Sequence, residues 1–98
     1  MDYSQQLIEK FNNKTARVAV LGMGYVGLPF SAVFATAGFN VIGIDPIKEK
    51  MDMLNRGESY ILDVPTDVVK QLVADGRLRG TTDYSVLKEV DAVAICVP

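Results

Sequence analysis

The sequence predicts an α/β fold, a parallel sheet in strand order 3-2-1-4 with helices on both faces. Three observations predict it. The run from Ala16 to Leu21 is short, β-branched and nearly all apolar, as expected of a strand buried on both faces, and the run from Ala92 to Val97 is again apolar throughout. Strand-like and helix-like segments alternate along the whole chain, the pattern of a sheet whose parallel strands are joined by helical crossovers. A glycine-rich turn, Gly22-Met23-Gly24-Tyr25-Val26-Gly27, joins the first strand to the first helix. Right-handed crossovers then order the strands 3-2-1-4.

Residues Asp2 to Asn12 read as a short helix, because Asp2 and Gln5 have capping-box spacing and Leu7, Ile8 and Phe11 share a face. This makes 1–15 an N-terminal helical extension, and the domain proper begins at residue 16. The first strand, Ala16 to Leu21, runs into the glycine turn, and an apolar helix follows as far as Ala37. Helical spacing places Val26, Phe30, Val33 and Ala37 on one side, with Gly38 as the stop. Pro29 fits only where that helix is just beginning, since it has no N–H to donate. Phe39 to Ile44 is the second strand and ends at Asp45. Pro46 opens a helix through Asn55, closed by Gly57. Glu58 to Pro65 is a loop without an assigned purpose. Thr66 to Ala74 is helical, with Val68, Val69, Leu72 and Val73 apolar. Leu78 to Thr81 is a short third strand, and Arg77 and Arg79 suit an exposed sheet edge. Asp83 caps a helix of one or two turns ending near Glu89, and Asp91 leads into the fourth strand.

Composition excludes several classes of function. The chain has 98 residues, 49% hydrophobic and 22% charged, which is ordinary for a folded globular domain. Ten basic against twelve acidic side chains leave a net charge of −2, so neither nucleic acid nor an anionic membrane is an expected partner. One cysteine and no histidine argue against an internal disulfide and against a Cys/His metal site. The absence of histidine also removes the commonest general base from these residues. No apolar run is long enough to span a membrane, and Asp2, Gln5 and Glu9 make the start too polar for a secretory signal, so a cytoplasmic protein is expected.

The glycine turn carries the functional signal. A G-x-G-x-x-G pattern alone is weak, but this one follows a buried strand, opens a helix, and has an acid at the end of the next strand. Asp45 stands 18 residues after Gly27, near the separation of about 20 expected of a Rossmann-type dinucleotide site. Gly22 permits the tight turn out of the strand. Gly24 lets the backbone approach a pyrophosphate, and Gly27 lets the helix lie close to the strand. The helix N-terminus then offers N–H groups and a positive dipole end to the phosphates. Asp45 is expected to accept hydrogen bonds from the adenosine ribose, and its charge, with no arginine following at Pro46-Ile47, favours NAD over NADP. Two alternatives stay open. The glycines can serve packing alone, and flavoproteins and methyltransferases also use glycine-rich first loops with a later acid.

Cys96 ends the fourth strand, where it faces the crevice in which α/β folds bind ligands. It is expected to line the cofactor site as a packing residue, because no base lies near it in sequence to make it a nucleophile. Lys48, Glu49 and Lys50 form a solvated helix face, although Lys50, a turn beyond Asp45, can reach the adenosine side of a cofactor.

The run Val20-Leu21-Gly22-Met23-Gly24-Tyr25-Val26-Gly27-Leu28-Pro29 resembles the opening signature of the UDP-glucose/GDP-mannose dehydrogenase family. The resemblance continues through Gly43-Ile44-Asp45, Leu54-Asn55-Arg56-Gly57, Thr81-Thr82-Asp83 and Ile95-Cys96-Val97-Pro98, and so covers most of residues 16–98. Gly57-Glu58-Ser59-Tyr60-Ile61 and the Cys-Val-Pro run look most like the branch that oxidises UDP-N-acetylated hexosamines. The resemblance implies an NAD-dependent enzyme that oxidises the C6 alcohol of a nucleotide sugar to a carboxylate. Two hydrides pass to two NAD molecules through a thioester on a catalytic cysteine. It also implies NAD contacts from Gly22, Met23, Gly24, Tyr25, Val26, Gly27, Asp45, Lys50, Ile95, Cys96, Val97 and Pro98. Arginine often stands in the family where this chain has Lys50, and lysine lacks the planar fork. The family's catalytic cysteine, its lysine and asparagine partners and its sugar-binding domain lie beyond residue 98. The chain is thus expected to be the first part of a truncated Rossmann NAD-binding domain, inactive alone, from a parent that takes a UDP-sugar and forms a homo-oligomer. Two competing readings are a nucleotide-sensing module without catalysis and an S-adenosylmethionine-dependent methyltransferase, the latter disfavoured by Tyr25-Val26-Gly27-Leu28-Pro29.

Overall fold

A computed structural model of the chain describes residues 15–96. The helix expected over Asp2–Asn12, and Val97 and Pro98, lie outside the described residues. The elements run β1 (Arg17–Leu21), α1 (Gly27–Thr36), β2 (Asn40–Ile44), α2 (Lys48–Asn55), α3 (Thr66–Ala74), β3 (Leu78–Thr81), a 3-10 helix (Tyr84–Glu89) and β4 (Ala92–Ile95). All neighbouring strands are parallel, and their order is β3-β2-β1-β4. This is the order the crossover rule requires.

The two faces of the sheet are covered unequally. Val18, Val20, Val41 and Leu78 point to one side, where Leu28 and Ala32 of α1, Met51 and Leu54 of α2, and Val69 and Leu72 of α3 complete the main core. Leu28, Leu54 and Val69 are fully buried, and each such side chain contributes about 1.5–3 kcal/mol of transfer free energy. Ala19, Ile42 and Ile44 face the other way, covered by Val86, Leu87 and Val90 around the 3-10 helix. Asp83 caps that helix by accepting the Ser85 N–H at 2.9 Å, and its bonds to Ser85 hold its carboxyl below the ordinary carboxylate range. At the β3 edge, the Asn55 side-chain amide bonds both the N–H and the carbonyl of Gly80 at 2.8 Å, which occupies groups a foreign strand would need.

Two elements differ from expectation in ways that bear on the site. Of the side of α1 marked by Val26, Phe30, Val33 and Ala37, Phe30 is partly buried against the main core and the other three face outward, Val33 being 68% exposed, while Leu28, Ser31, Ala32 and Ala35 face the sheet. A helix lying close to a strand needs small residues beneath it, and hydrophobicity alone did not identify that face. α2 begins at Lys48 rather than at Pro46, because the Asp45 carboxylate accepts the Ile47 N–H at 2.9 Å and holds Ile47 extended. All three α-helices close on a glycine with positive φ, and after α1 the Phe39 N–H reaches back to the Phe34 carbonyl while their rings meet at 5.7 Å.

Strand register decides where function can lie. Leu21 stands opposite both Ile44 and Ile95, so β1, β2 and β4 end level. The residues that follow them, Gly22, Asp45 and Cys96, therefore emerge side by side at the carboxyl edge of the sheet.

Candidate cofactor site

At that edge Gly22, Gly24, Tyr25, Val26, Gly27, Asp45, Lys50 and Cys96 line one cavity of about 270 Å³. The three glycines do three different jobs. Gly22 turns at φ +90°, and a Cβ there would lie on the Cys96 carbonyl oxygen. A Cβ on Gly27 would overlap the Gly22 carbonyl oxygen, so its absence sets how closely α1 approaches β1. A Cβ on Gly24 would have no other heavy atom within 4 Å, which leaves open space beside the backbone on the cavity wall.

α1 begins beside this loop with no side-chain cap and no acidic residue in its first turn, whereas α2 has Glu49 and α3 has Asp67 there. The positive end of α1 is thus available to an external anion. Asp45 is only 7% exposed. One carboxylate oxygen accepts the Met23 N–H at 3.0 Å and the other accepts the Ile47 N–H at 2.9 Å. A carboxylate has about four lone-pair sites, so acceptor capacity remains for a pair of ribose hydroxyls. The residues present fit a dinucleotide, with an open glycine backbone and helix end for the pyrophosphate and a fixed anion for the ribose.

Not every residue the sequence singled out lines the cavity. Met23 is fully buried with its side chain in the core, and its sulfur accepts the Ser31 hydroxyl at 3.2 Å. It acts on the site through its backbone. Ile95 is 69% exposed on β4, outside the cavity, and Val97 and Pro98 lie outside the described residues. Lys48 pairs with Asp52 at 2.7 Å on the solvated side of α2, while Lys50 turns inward and lines the cavity. Among the described residues no group of three or more His, Cys, Asp or Glu could hold a metal ion, and no helix is long and apolar enough to cross a membrane.

Sequence reasoning missed Tyr60. Its hydroxyl donates to the Met23 carbonyl at 2.6 Å, and its ring lies 5.8 Å from the Lys50 ammonium, within cation–π range. The signal lay in a hydroxyl-bearing aromatic within the unassigned loop 58–65, whose Ile61 and Val64 are buried in the main core. Burial, and secondarily the charge of Asp45, push the Tyr60 hydroxyl well above its ordinary value of 10.0. The unfolded chain therefore releases this proton first, so the contribution of Tyr60 to stability is present below about pH 10 and is lost as pH rises above it. Thermal melts of wild type and Tyr60→Phe should show a gap that narrows on the alkaline side. A gap that stays constant between pH values of about 8 and 11 would contradict this.

A larger and more open groove of about 580 Å³ lies between the end of α1 and α3, bordered by Thr36, Gln71, Asp75 and Arg77. Its glycine, Gly38, is the stop of α1, and no helix N-terminus there is matched to an acid on a neighbouring strand. Chemistry, and not size, singles out the smaller cavity.

Fold and site together define a dinucleotide-binding domain. Comparison with known proteins agrees. Residues 16–98 match the NAD binding domain of the UDP-glucose/GDP-mannose dehydrogenase family, and the chain belongs to that family. Its cofactor is NAD. The chain is 39% identical over 87 residues to the UDP-N-acetyl-D-mannosamine dehydrogenase of Campylobacter jejuni, spanning 88% of this chain and 21% of that protein. It is 43% identical over 82 residues to the enzyme of the same name from Salmonella typhimurium, spanning 83% of this chain and 19% of that one. Among solved structures, a ternary complex of GDP-mannose dehydrogenase from Pseudomonas aeruginosa superposes with a TM-score of 0.78 at 35% identity, over 84% of this chain and 19% of that one. The chain thus spans about a fifth of the length of the relatives it matches.

Proposed function

We propose that this chain is the NAD-binding portion of a nucleotide-sugar 6-dehydrogenase, one that oxidises the C6 alcohol of a UDP-sugar to a uronate with two NAD. The observation that carries the reading is the bond from the Met23 N–H to Asp45, which ties the glycine turn to the acid that would receive the ribose. Bound NAD would supply the hydride acceptor. The residues here orient it, with the Gly22–Gly27 turn and the start of α1 on the pyrophosphate, Asp45 on the adenosine ribose, Lys50 on the adenosine side and Cys96 on the wall. In this reading 1–15 form an N-terminal extension and 16–98 the first part of the NAD-binding domain. The catalytic cysteine and the sugar-binding residues belong to other parts of a cytoplasmic, homo-oligomeric parent. A UDP-N-acetylhexosamine is the substrate the relatives' names favour.

Calorimetry on the chain tests this. NAD should bind weakly, with NADP at least tenfold weaker because Asp45 opposes a 2′-phosphate, and no turnover should occur with NAD and UDP-sugars. Tighter binding of NADP, or binding of S-adenosylmethionine in place of NAD, would overturn the proposal.

A further inference from the structure

We propose that Tyr60 is a positioning residue of the cofactor loop, its hydroxyl fixing the Met23–Gly24 peptide so that the Gly24 N–H is turned toward the phosphate cavity. This rests on the NAD reading and deepens it. The bond spans 37 positions in sequence and joins the 58–65 loop to the glycine turn at 2.6 Å. No peptide bond among the described residues is cis. In a trans peptide the carbonyl and the following N–H point in opposite directions, so holding the Met23 carbonyl on Tyr60 sends the Gly24 N–H to the other side. Gly24 lines the cavity, and Tyr60 does not.

This peptide needs such a holder. The peptide before Met23 is fixed by the bond to Asp45, and the Met23 side chain is fixed by the Ser31 hydroxyl and by its fit against Gly43. The peptide after it leads into Gly24, where a Cβ would meet nothing within 4 Å, so sterics do little to choose between its two flipped orientations. A hydrogen bond to the carbonyl supplies that choice. The donor is dependable, because a tyrosine hydroxyl is protonated over the physiological range and burial moves its proton loss higher still. The same ring carries Lys50 within 5.8 Å, so one side chain organises both the loop and the cation beside it.

Tyr60→Phe separates these roles, since it keeps the ring and its contact with Lys50 and removes only the hydroxyl. Binding of NAD, ADP and adenosine to the chain is followed by amide nuclear magnetic resonance, together with hydrogen exchange at the Gly24 N–H. The variant should bind NAD and ADP about fivefold more weakly, the size of one hydrogen bond, and adenosine within about twofold of wild type. Without ligand, the Gly24 amide resonance should shift and broaden. Equal weakening toward adenosine would reduce Tyr60 to a general structural role and overturn the proposal. Unchanged NAD affinity with an unchanged Gly24 resonance would overturn it while leaving the NAD reading standing. Failure of wild type to bind NAD at all would overturn both.

Discussion

Alanine at Gly27 is expected to cost the fold about 3 kcal/mol or more, while alanine at Gly24 leaves stability within about 0.5 kcal/mol and removes cofactor binding. The same methyl group is added in both cases. At Gly27 it would overlap the Gly22 carbonyl oxygen, and Gly22 has little room to yield because the Cys96 carbonyl stands close behind it. Relief requires α1 to lift from β1, which opens the packing of Leu28 and Ala32 against Val18 and Val20. Domains of this size hold only about 5–15 kcal/mol in total, so the loss is large. At Gly24 the methyl group meets no protein atom and projects beside the backbone that the pyrophosphate would approach. Denaturant midpoints and NAD titrations on both variants check this. Equal stability of Gly27→Ala and wild type, or undiminished NAD binding by Gly24→Ala, would refute the assignment of those roles.

Alanine at Asp45 should have the second-largest effect, on stability and on ligand choice together. Its carboxylate is the acceptor for the Met23 and Ile47 N–H groups, and it is nearly buried. Leaving a buried donor unpaired costs about 1–3 kcal/mol, and Met23 is the one fully enclosed, so a loss of about 2–3 kcal/mol is expected. Removing the charge also removes the repulsion toward a 2′-phosphate, so NAD should weaken about tenfold and its advantage over NADP should vanish. Thermal melts and parallel titrations with the two cofactors give both readouts. Unaltered NAD affinity in Asp45→Ala would remove the ribose contact from the account.

Much of this was legible in the sequence, for reasons that are local. β1 and β2 announced themselves because a strand covered on both faces has no polar alternation to maintain, and the order of the sheet followed from crossover handedness. Gly22 and Gly27 could be assigned their positions because each answers a backbone requirement, and the levelness of β1, β2 and β4 then brought Asp45 and Cys96 beside them. What escaped was nonlocal. The outward face of α1 is as apolar as its inner face, so composition could not say which of the two meets the sheet. The start of α2 moved because Asp45 spends one oxygen on Ile47, a bond set by the site and not by helix propensity. Tyr60 was invisible as a site residue because its partner lies 37 positions away, across a loop with no periodicity to read. Met23 looked like one more contact of the cofactor loop, yet its side chain is core and only its two peptide groups face the function.

If NAD lies over the Gly22–Gly27 turn against Asp45, residue-resolved amide spectra of the isotope-labelled chain titrated with NAD will register it there. Shifts should concentrate at the amides of Gly22, Gly24, Tyr25, Gly27, Ile47 and Cys96, with Thr36, Gln71 and Asp75 unmoved. Shifts centred on the larger groove between the end of α1 and α3, with the glycine turn silent, would contradict it.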